Sequence, residues 1–118
     1  MNVLLQHVAH ARSGDKGNTA NIAVFAYSPE LYPLLVDQLT AERVKAFYQG
    51  AITGEVLRYP VDGLHAINFV AHGALGGGVS RSLSLDQYGK ALSGALLGFP
   101  IDVPPHLQQH LINWQQGA

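Results

Sequence analysis

Four short runs of β-forming residues, arranged in two pairs, limit most strongly what this chain can fold into. The first pair is Val3–Ala11 and Asn21–Tyr27, and the second pair is Glu55–Val61 and Leu64–Ala71. Each pair is too closely spaced for the long crossover that parallel strands need. The Asp-Gly dipeptide at positions 62–63 is also a strong turn signal. The pattern therefore predicts two antiparallel hairpins.

Helical patterns fill the space between the two pairs and follow the second. One helix is predicted to begin near Pro33, a second to be capped by Thr40 and stopped by Gly50, and a third to be capped by Asp86 and stopped by Gly98. The resulting order is β-β-α-α-β-β-α. It predicts an α+β two-layer sandwich with a four-stranded, mainly antiparallel sheet and helices on one face. The other sheet face must then be polar or covered by a partner.

The length of 118 residues suits one domain. We expect the α+β domain to span residues 1–103 and a C-terminal tail to span residues 104–118. Three prolines mark the start of this tail as irregular, and His106–Gln116 can form a short helix within it.

Composition excludes several function classes. Charged residues make up only 13% of the chain, the net charge is -1, and no Lys/Arg-rich block is present. Nucleic acid and anionic membranes are therefore not expected as partners. Because charge is scarce while 47% of the residues are apolar, we expect part of the surface to be covered by another subunit, as in a homo-oligomer.

Cysteine is absent, which excludes disulfides, thiolate zinc sites and a cysteine nucleophile. This absence fits a reducing cytosol, and we expect a cytoplasmic protein. The start of the chain, Met1–Leu5, lacks the basic segment of a signal peptide. No apolar stretch approaches the length of a membrane span.

The first candidate site is a glycine-rich polar segment that is predicted to be a loop. Glycines free the backbone to turn its N–H groups toward a ligand, and the cations can hold a carboxylate or phosphate. The alternative is an ordinary hairpin loop whose Asp15 pairs with Lys16 or Arg12. The spacing is not that of a P-loop. The segment consists of Arg12, Ser13, Gly14, Asp15, Lys16, Gly17 and Asn18.

The second candidate site is the glycine-rich segment Gly73–Ser82. Three successive glycines are costly to order, which favours close approach of the backbone to a ligand or to another chain. The alternative is a flexible connection to the third helix. If the strands before the two segments are parallel neighbours, Arg12 and Arg81 converge on one anionic group. The binding residues predicted here are Gly76, Gly77, Gly78, Ser80 and Arg81.

Histidines offer a possible acid/base group. His10 and His72 could meet near the strand ends, joined by Asn68. The alternative is that they are hydrogen-bonded strand histidines. His106 and His110 are expected on the surface, because no glutamate follows the first as a zincin motif requires. No metal site is predicted.

Several segments together resemble a known family. Ala9–Val24, Leu39–Lys45, Leu64–Leu83 and Asp86–Leu97 are similar to the small C-terminal domain of the acyclic terpene utilisation (AtuA-like) proteins. The resemblance implies a ferredoxin-like fold and a place in bacterial breakdown of acyclic terpenoids through acyl-CoA intermediates. It implies no established catalytic residues. The domain often follows a much larger one, so a separately encoded large subunit is an expected partner.

The resemblance also marks residues in and beside the two segments. In the first region these are Arg12, Ser13, Gly14, Asp15, Lys16, Gly17 and Asn21. In the second region they are Asn68, His72, Gly73, Gly76, Gly77, Gly78, Ser80 and Arg81.

The leading expectation is an accessory or ligand-binding domain in small-molecule catabolism, which binds a small anionic metabolite and acts with a larger subunit. One alternative is a free-standing lyase, hydratase or isomerase with Asp15 or His72 as the base. Another is a purely structural oligomerisation domain. The residues do not decide whether the chain is an enzyme, and no cofactor is expected.

Overall fold

The structure is a computed structural model that describes residues 1–16, 19–48, 52–73 and 92–113, with backbone only at 15 and 16. The strands are β1 (Asn2–Leu4), β2 (Ala9–Lys16), β3 (Thr19–Ala26), β4 (Val56–Val61), β5 (Ala66–His72) and β6 (Pro100–Asp102). The α-helices are α1 (Tyr32–Gln38) and α2 (Ala41–Phe47), and residues 92–96 are also helical. Short 3-10 helices span Leu5–His7, Pro29–Leu31, Asp62–Leu64 and Pro105–His110.

The main sheet has four strands in the order β2-β3-β5-β4, and every neighbouring pair is antiparallel. Both predicted hairpins, β2-β3 and β4-β5, are confirmed. The predicted α+β sandwich with a four-stranded antiparallel sheet is confirmed as well. A second sheet, formed by β1 and β6, was not predicted.

The predicted first strand, Val3–Ala11, is two separate strands in the structure. Its N-terminal part is β1, which pairs with β6 and ends at a 3-10 helix that begins at Leu5. The Leu5 N–H donates to the carbonyl of Phe99 at 2.8 Å, and its side chain is fully buried. The strand that pairs with β3 runs from Ala9 through Lys16. The loop that was predicted to start at Arg12 is therefore strand as far as Lys16. Polar residues and glycine indicated a loop, but pairing with β3 along its whole length stabilises the extended backbone.

Local sequence signals predicted the helices more accurately than the first strand. The Thr40 side chain caps α2 by accepting the Arg43 N–H at 3.1 Å, as predicted. Pro33 lies in the first turn of α1, where its missing N–H costs nothing. At the end of the third helix, the Gly98 N–H donates to Ala95 at 3.0 Å. The predicted stop at Gly50 and cap at Asp86 lie outside the described residues.

The core lies between the inner face of the main sheet and the helices. Ile22 and Phe69 occupy the middle of that face, and both are fully buried. Leu35 and Leu39 from α1 and the following residue pack in the same cluster. Arg58 also faces this layer, because its guanidinium donates to the carbonyls of Val36 and Leu39 at the end of α1.

The C-terminal tail lies on the domain as far as it is described. The predicted short helix is a 3-10 helix over Pro105–His110, followed by Leu111, which is partly buried against the core. The Ile112 N–H donates to the His7 carbonyl at 2.9 Å, and the His7 ring Nδ1 lies 2.9 Å from the Ile112 carbonyl. None of the described helices is long and apolar enough to cross a membrane.

Tyr32 generates a prediction about alkaline stability. Its ring is 8% exposed, and its hydroxyl donates to Asp62 Oδ1 at 2.7 Å and to the Ala66 carbonyl at 3.3 Å. Burial, and then the bond to Asp62, raise the pKa of Tyr32 to about 12. Because the fold holds the neutral phenol more tightly than the unfolded chain does, its contribution is complete below pH of about 10 and is lost as pH rises toward 12.

We therefore expect Tyr32→Phe to lower stability by about 1 kcal/mol near neutral pH, the usual contribution of one hydrogen bond. The variant should also lose less stability than the wild type between pH of about 10 and about 12. Denaturant unfolding at stepped pH measures both effects. Tyr59→Phe removes an exposed hydroxyl and serves as the control. Parallel alkaline profiles for the wild type and Tyr32→Phe would contradict the assignment.

Candidate functional site

One face of the main sheet is turned away from the helices, and we call it the open face. Strand alternation assigns every second residue of β2, β3, β4 and β5 to it. Most of these side chains are exposed or half-buried, in contrast to the inner face, where most side chains are buried. They are His10, Arg12, Gly14, Thr19, Asn21, Ala23, Phe25, Leu57, Tyr59, Val61, Ala66, Asn68, Val70 and His72.

A depression of about 300 Å³ lies on the β2-β3 side of the open face. Arg12 pairs with Ala23 and Gly14 pairs with Asn21, so two small residues form a low floor between longer side chains. A Cβ atom added to Gly14 would meet nothing within 4 Å, so no atom of the described residues fills the space directly above this glycine. The lining residues are Arg12, Ser13, Gly14, Asn21, Ala23 and Phe25.

Arg12 supplies the positive charge of this depression. It is exposed, and among the side chains that the structure describes no carboxylate lies within 4.0 Å of its guanidinium. Two described carboxylates have partners elsewhere: Asp102 lies 3.0 Å from the Met1 amino group, and Glu30 lies 4.0 Å from the His110 ring. The alternative in which Asp15 pairs with Arg12 stays untested, because the Asp15 side chain is outside the described part. A guanidinium with five N–H donors is suited to hold a carboxylate or phosphate.

Two amides adjoin the arginine. Asn21 Nδ2 donates to Asn68 Oδ1 at 2.6 Å, which connects the depression on β3 with β5. This bond does not use the remaining side-chain groups of the two amides, which are the second Nδ2–H and the Oδ1 of Asn21 and both Nδ2–H groups of Asn68. The pair can therefore present donors and an acceptor to a polar group that is held by Arg12.

An aromatic stack closes the other end of the depression. The His10 ring lies 4.9 Å from the Phe25 ring at an interplanar angle of 12°, and 5.8 Å from the Tyr27 ring. The predicted group of His10, Asn68 and His72 is wrong, because His10 and His72 lie far apart. His10 is level with Phe25 and Ala66 in the sheet, and Ala66 is six residues before His72 on β5, which corresponds to roughly 20 Å along the strands.

His72 lies at the end of the sheet and does not line the depression. It is four residues beyond the level of Arg12 and two strands away, a separation of roughly 16 Å between Cα atoms. Its ring Nδ1 is 3.4 Å from Thr19 Oγ1. The Ser13 hydroxyl, another predicted ligand, donates to Ser93 Oγ at 3.0 Å in the helical layer.

The two predicted loops meet the sheet at the same end, although not as neighbours. β2 and β5 run in the same direction because both are antiparallel to β3, which lies between them. Lys16 pairs with Thr19, and Thr19 pairs with His72, so β2 and β5 finish level with each other. The convergence of Arg12 and Arg81 stays a prediction.

Much of the predicted site falls outside the described residues. This part comprises Gly17, Asn18, Gly76, Gly77, Gly78, Ser80 and Arg81, together with the side chains of Asp15 and Lys16. Phe25 and Ala23 were missed by sequence reasoning, which assigned them only to a strand. Along β3, Ala23 and Phe25 alternate with the buried residues Ile22 and Val24. This alternation would have assigned Ala23 and Phe25 to the open face.

The helices on one face of a four-stranded antiparallel sheet define an α+β two-layer domain, which is consistent with a ferredoxin-like domain. Residues 3–102 match the family model of the AtuA ferredoxin-like domain. The chain belongs to this family, which confirms the resemblance found in the sequence. No curated protein and no solved structure matches the chain.

Two glycines near the site provide a matched test of the backbone packing. A Cβ on Gly54 would lie 2.5 Å from the His72 carbonyl oxygen, whereas a Cβ on Gly14 would meet nothing within 4 Å. We expect Gly54→Ala to cost roughly 1–3 kcal/mol by forcing β5 away, and Gly14→Ala to be neutral or stabilising by up to about 1 kcal/mol. Thermal unfolding of both variants measures the difference. Equal losses of stability in the two variants would show that the backbone at Gly54 is not held close to the His72 carbonyl.

Proposed function

We propose that this chain is a ligand-binding accessory domain of small-molecule catabolism, and that its open face binds the anionic group of a metabolite over the depression at Arg12. The single observation that carries the proposal is an exposed arginine beside an empty depression with no carboxylate of a described side chain within 4.0 Å. Exposed cations attract anions over several ångströms and form charge-assisted hydrogen bonds with them at contact.

The neighbouring groups favour a carboxylate or a phosphate over a bare halide. Arg12 offers a planar fork of donors, and the linked amides of Asn21 and Asn68 offer further donors on one side. Phe25 and the small floor at Ala23 give an apolar surface against which a carbon chain can lie. An acid with an apolar body satisfies both parts of the depression.

Family membership supports the metabolic setting. The AtuA name relates the chain to acyclic terpene utilisation, so an acyl substrate or its CoA thioester is the proposed ligand class. We place the chemistry on a larger partner subunit: of the two candidate bases, only His72 has a described side chain, and it lies roughly 16 Å from Arg12 by strand geometry. The chain alone should therefore bind its ligand without turning it over.

The proposal is tested by titration calorimetry with octanoate, octanoyl-CoA, free coenzyme A and inorganic phosphate. We expect binding of at least one of these anions, weakened roughly 10- to 100-fold in Arg12→Gln, because a charge-assisted hydrogen bond contributes about 1.5–3 kcal/mol. Gly14→Val adds bulk to the depression at a position where a Cβ meets nothing within 4 Å, and it should weaken binding comparably. Octanoate and coenzyme A separate recognition of the acyl end from recognition of the phosphates.

Lys45→Gln is the matched control, since it removes one cation from α2 on the helical side of the sheet. This variant should bind as the wild type does. Equal weakening in Lys45→Gln and Arg12→Gln would reduce the effect to net charge. Binding that is unchanged in both Arg12→Gln and Gly14→Val would remove the depression as the site.

A further inference from the structure

Three aromatic rings adjoin the depression on the open face, and we call them the aromatic stack. The His10 and Phe25 rings lie 4.9 Å apart at an interplanar angle of 12°, and the Tyr27 ring lies 5.8 Å from that of His10. His10 is exposed, Tyr27 is 41% exposed, and Phe25 is half-buried at the rim of the depression. Such rings give a surface against which a further planar ring can lie, face to face or edge to face.

The register of β2 and β3 sets the distance from the aromatic stack to the positive charge. Arg12 pairs with Ala23, and Phe25 lies two residues beyond Ala23 on β3. The row of rings is therefore roughly 7 Å along the strands from the row of the arginine. A ligand that uses both rows needs a planar ring and an anionic group joined by a short spacer.

The floor at Ala23 has a different polar side chain on each side. Ala23 pairs with Arg12 on β2 and with Asn68 on β5. Asn68 Oδ1 accepts an N–H of Asn21 at 2.6 Å, and this bond uses neither N–H group of Asn68 itself. A spacer that lies over Ala23 therefore has a guanidinium on one side and amide donors on the other, which suits a spacer with hydroxyl oxygens.

We propose that the depression recognises the adenine nucleotide part of its ligand. The base lies against the aromatic stack, the ribose lies over Ala23 with a hydroxyl oxygen facing Asn68, and the phosphate binds Arg12. This inference rests on the proposed function and narrows its ligand class, because a CoA thioester is then held by its nucleotide end. The acyl end lies outside the depression, where a partner subunit can act on it.

Two other classes of anion use less of this surface. The carboxylate of a fatty acid can bind Arg12, but its chain has no groups that pair with amide donors. A nucleic-acid strand needs several cations along its path, whereas Arg12 is the only Lys or Arg among the described side chains of the open face. A single nucleotide uses the rings, the amides and the one cation together.

Titration calorimetry with adenosine 5′-phosphate and ribose 5-phosphate isolates the contribution of the base, because the two compounds differ by the adenine. We expect adenosine 5′-phosphate to bind roughly 5- to 100-fold more tightly, the range that stacking of one base contributes. His10→Ala and Phe25→Leu should each reduce this preference by roughly threefold or more, since each removes a ring from the aromatic stack. Arg12→Gln should weaken the binding of both compounds.

His106→Ala is the matched control for His10→Ala, because it removes an exposed histidine from the 3-10 helix of the tail, outside the open face. This variant should keep the wild-type preference for adenosine 5′-phosphate. Phe25→Leu retains an apolar side chain at a half-buried position, and circular dichroism of each variant verifies that its fold is retained.

Nuclear magnetic resonance of the ligand provides a second readout, which a merely structural effect of the substitutions would not produce. Protons of a base that lies face to face on aromatic rings shift upfield, and those of a base held edge to face also shift, because the rings alter the local magnetic field. We expect the adenine protons of adenosine 5′-phosphate to shift on binding to the wild type, and to shift less on binding to His10→Ala at equal saturation.

Equal affinity of the wild type for adenosine 5′-phosphate and ribose 5-phosphate would overturn the nucleotide assignment. A preference that is unchanged in both His10→Ala and Phe25→Leu would overturn it as well. Arg12-dependent binding of octanoate or inorganic phosphate in either case would leave the proposed function standing without this inference. Binding of none of these anions would overturn both.

Discussion

The pairing of β3 on both of its edges is the constraint on which the rest of the structure depends. β3 is antiparallel to β2 on one side and to β5 on the other, and its alternation buries Ile22 and Val24 completely. A slip of one residue would exchange the buried set with the open-face set. The burial of these two side chains therefore also fixes the direction in which Asn21 and Phe25 point.

The candidate site is a consequence of this register. It places Gly14 beside Asn21 and Ala23 beside Arg12, so that small residues form a floor between a cation, an amide and a stacked ring. No polar or charged residue is fully buried among the described residues. On the inner face of the sheet, the polar side chains of Ser13 and Arg58 bond to the helical layer. The other polar side chains of the described sheet lie mainly on the open face and at the ends of the strands.

Local sequence signals predicted the hairpins, the Thr40 cap and the α+β class, because each depends on residues close together in the chain. The extension of β2 through Lys16 was not predicted, because glycine and polar residues indicated a loop although their partners on β3 are close in sequence. The strand β6 was not predicted, because its partner β1 lies at the other end of the chain. Arg12 was identified from its neighbours, whereas Phe25 became a site residue only when the pairing was known. The positions of His10 and His72 needed the register of three strands.

The claim that the open face is the working surface is tested most directly by nuclear magnetic resonance. The side-chain amides of Asn21 and Asn68 give their own signals and lie next to Arg12 on that face. On titration with the best-binding anion, we expect the signals of these two amides and of the β2-β3 backbone to shift together, while those of α1 and α2 remain unchanged. Shifts confined to the helical layer, with both asparagine amides unmoved, would contradict it.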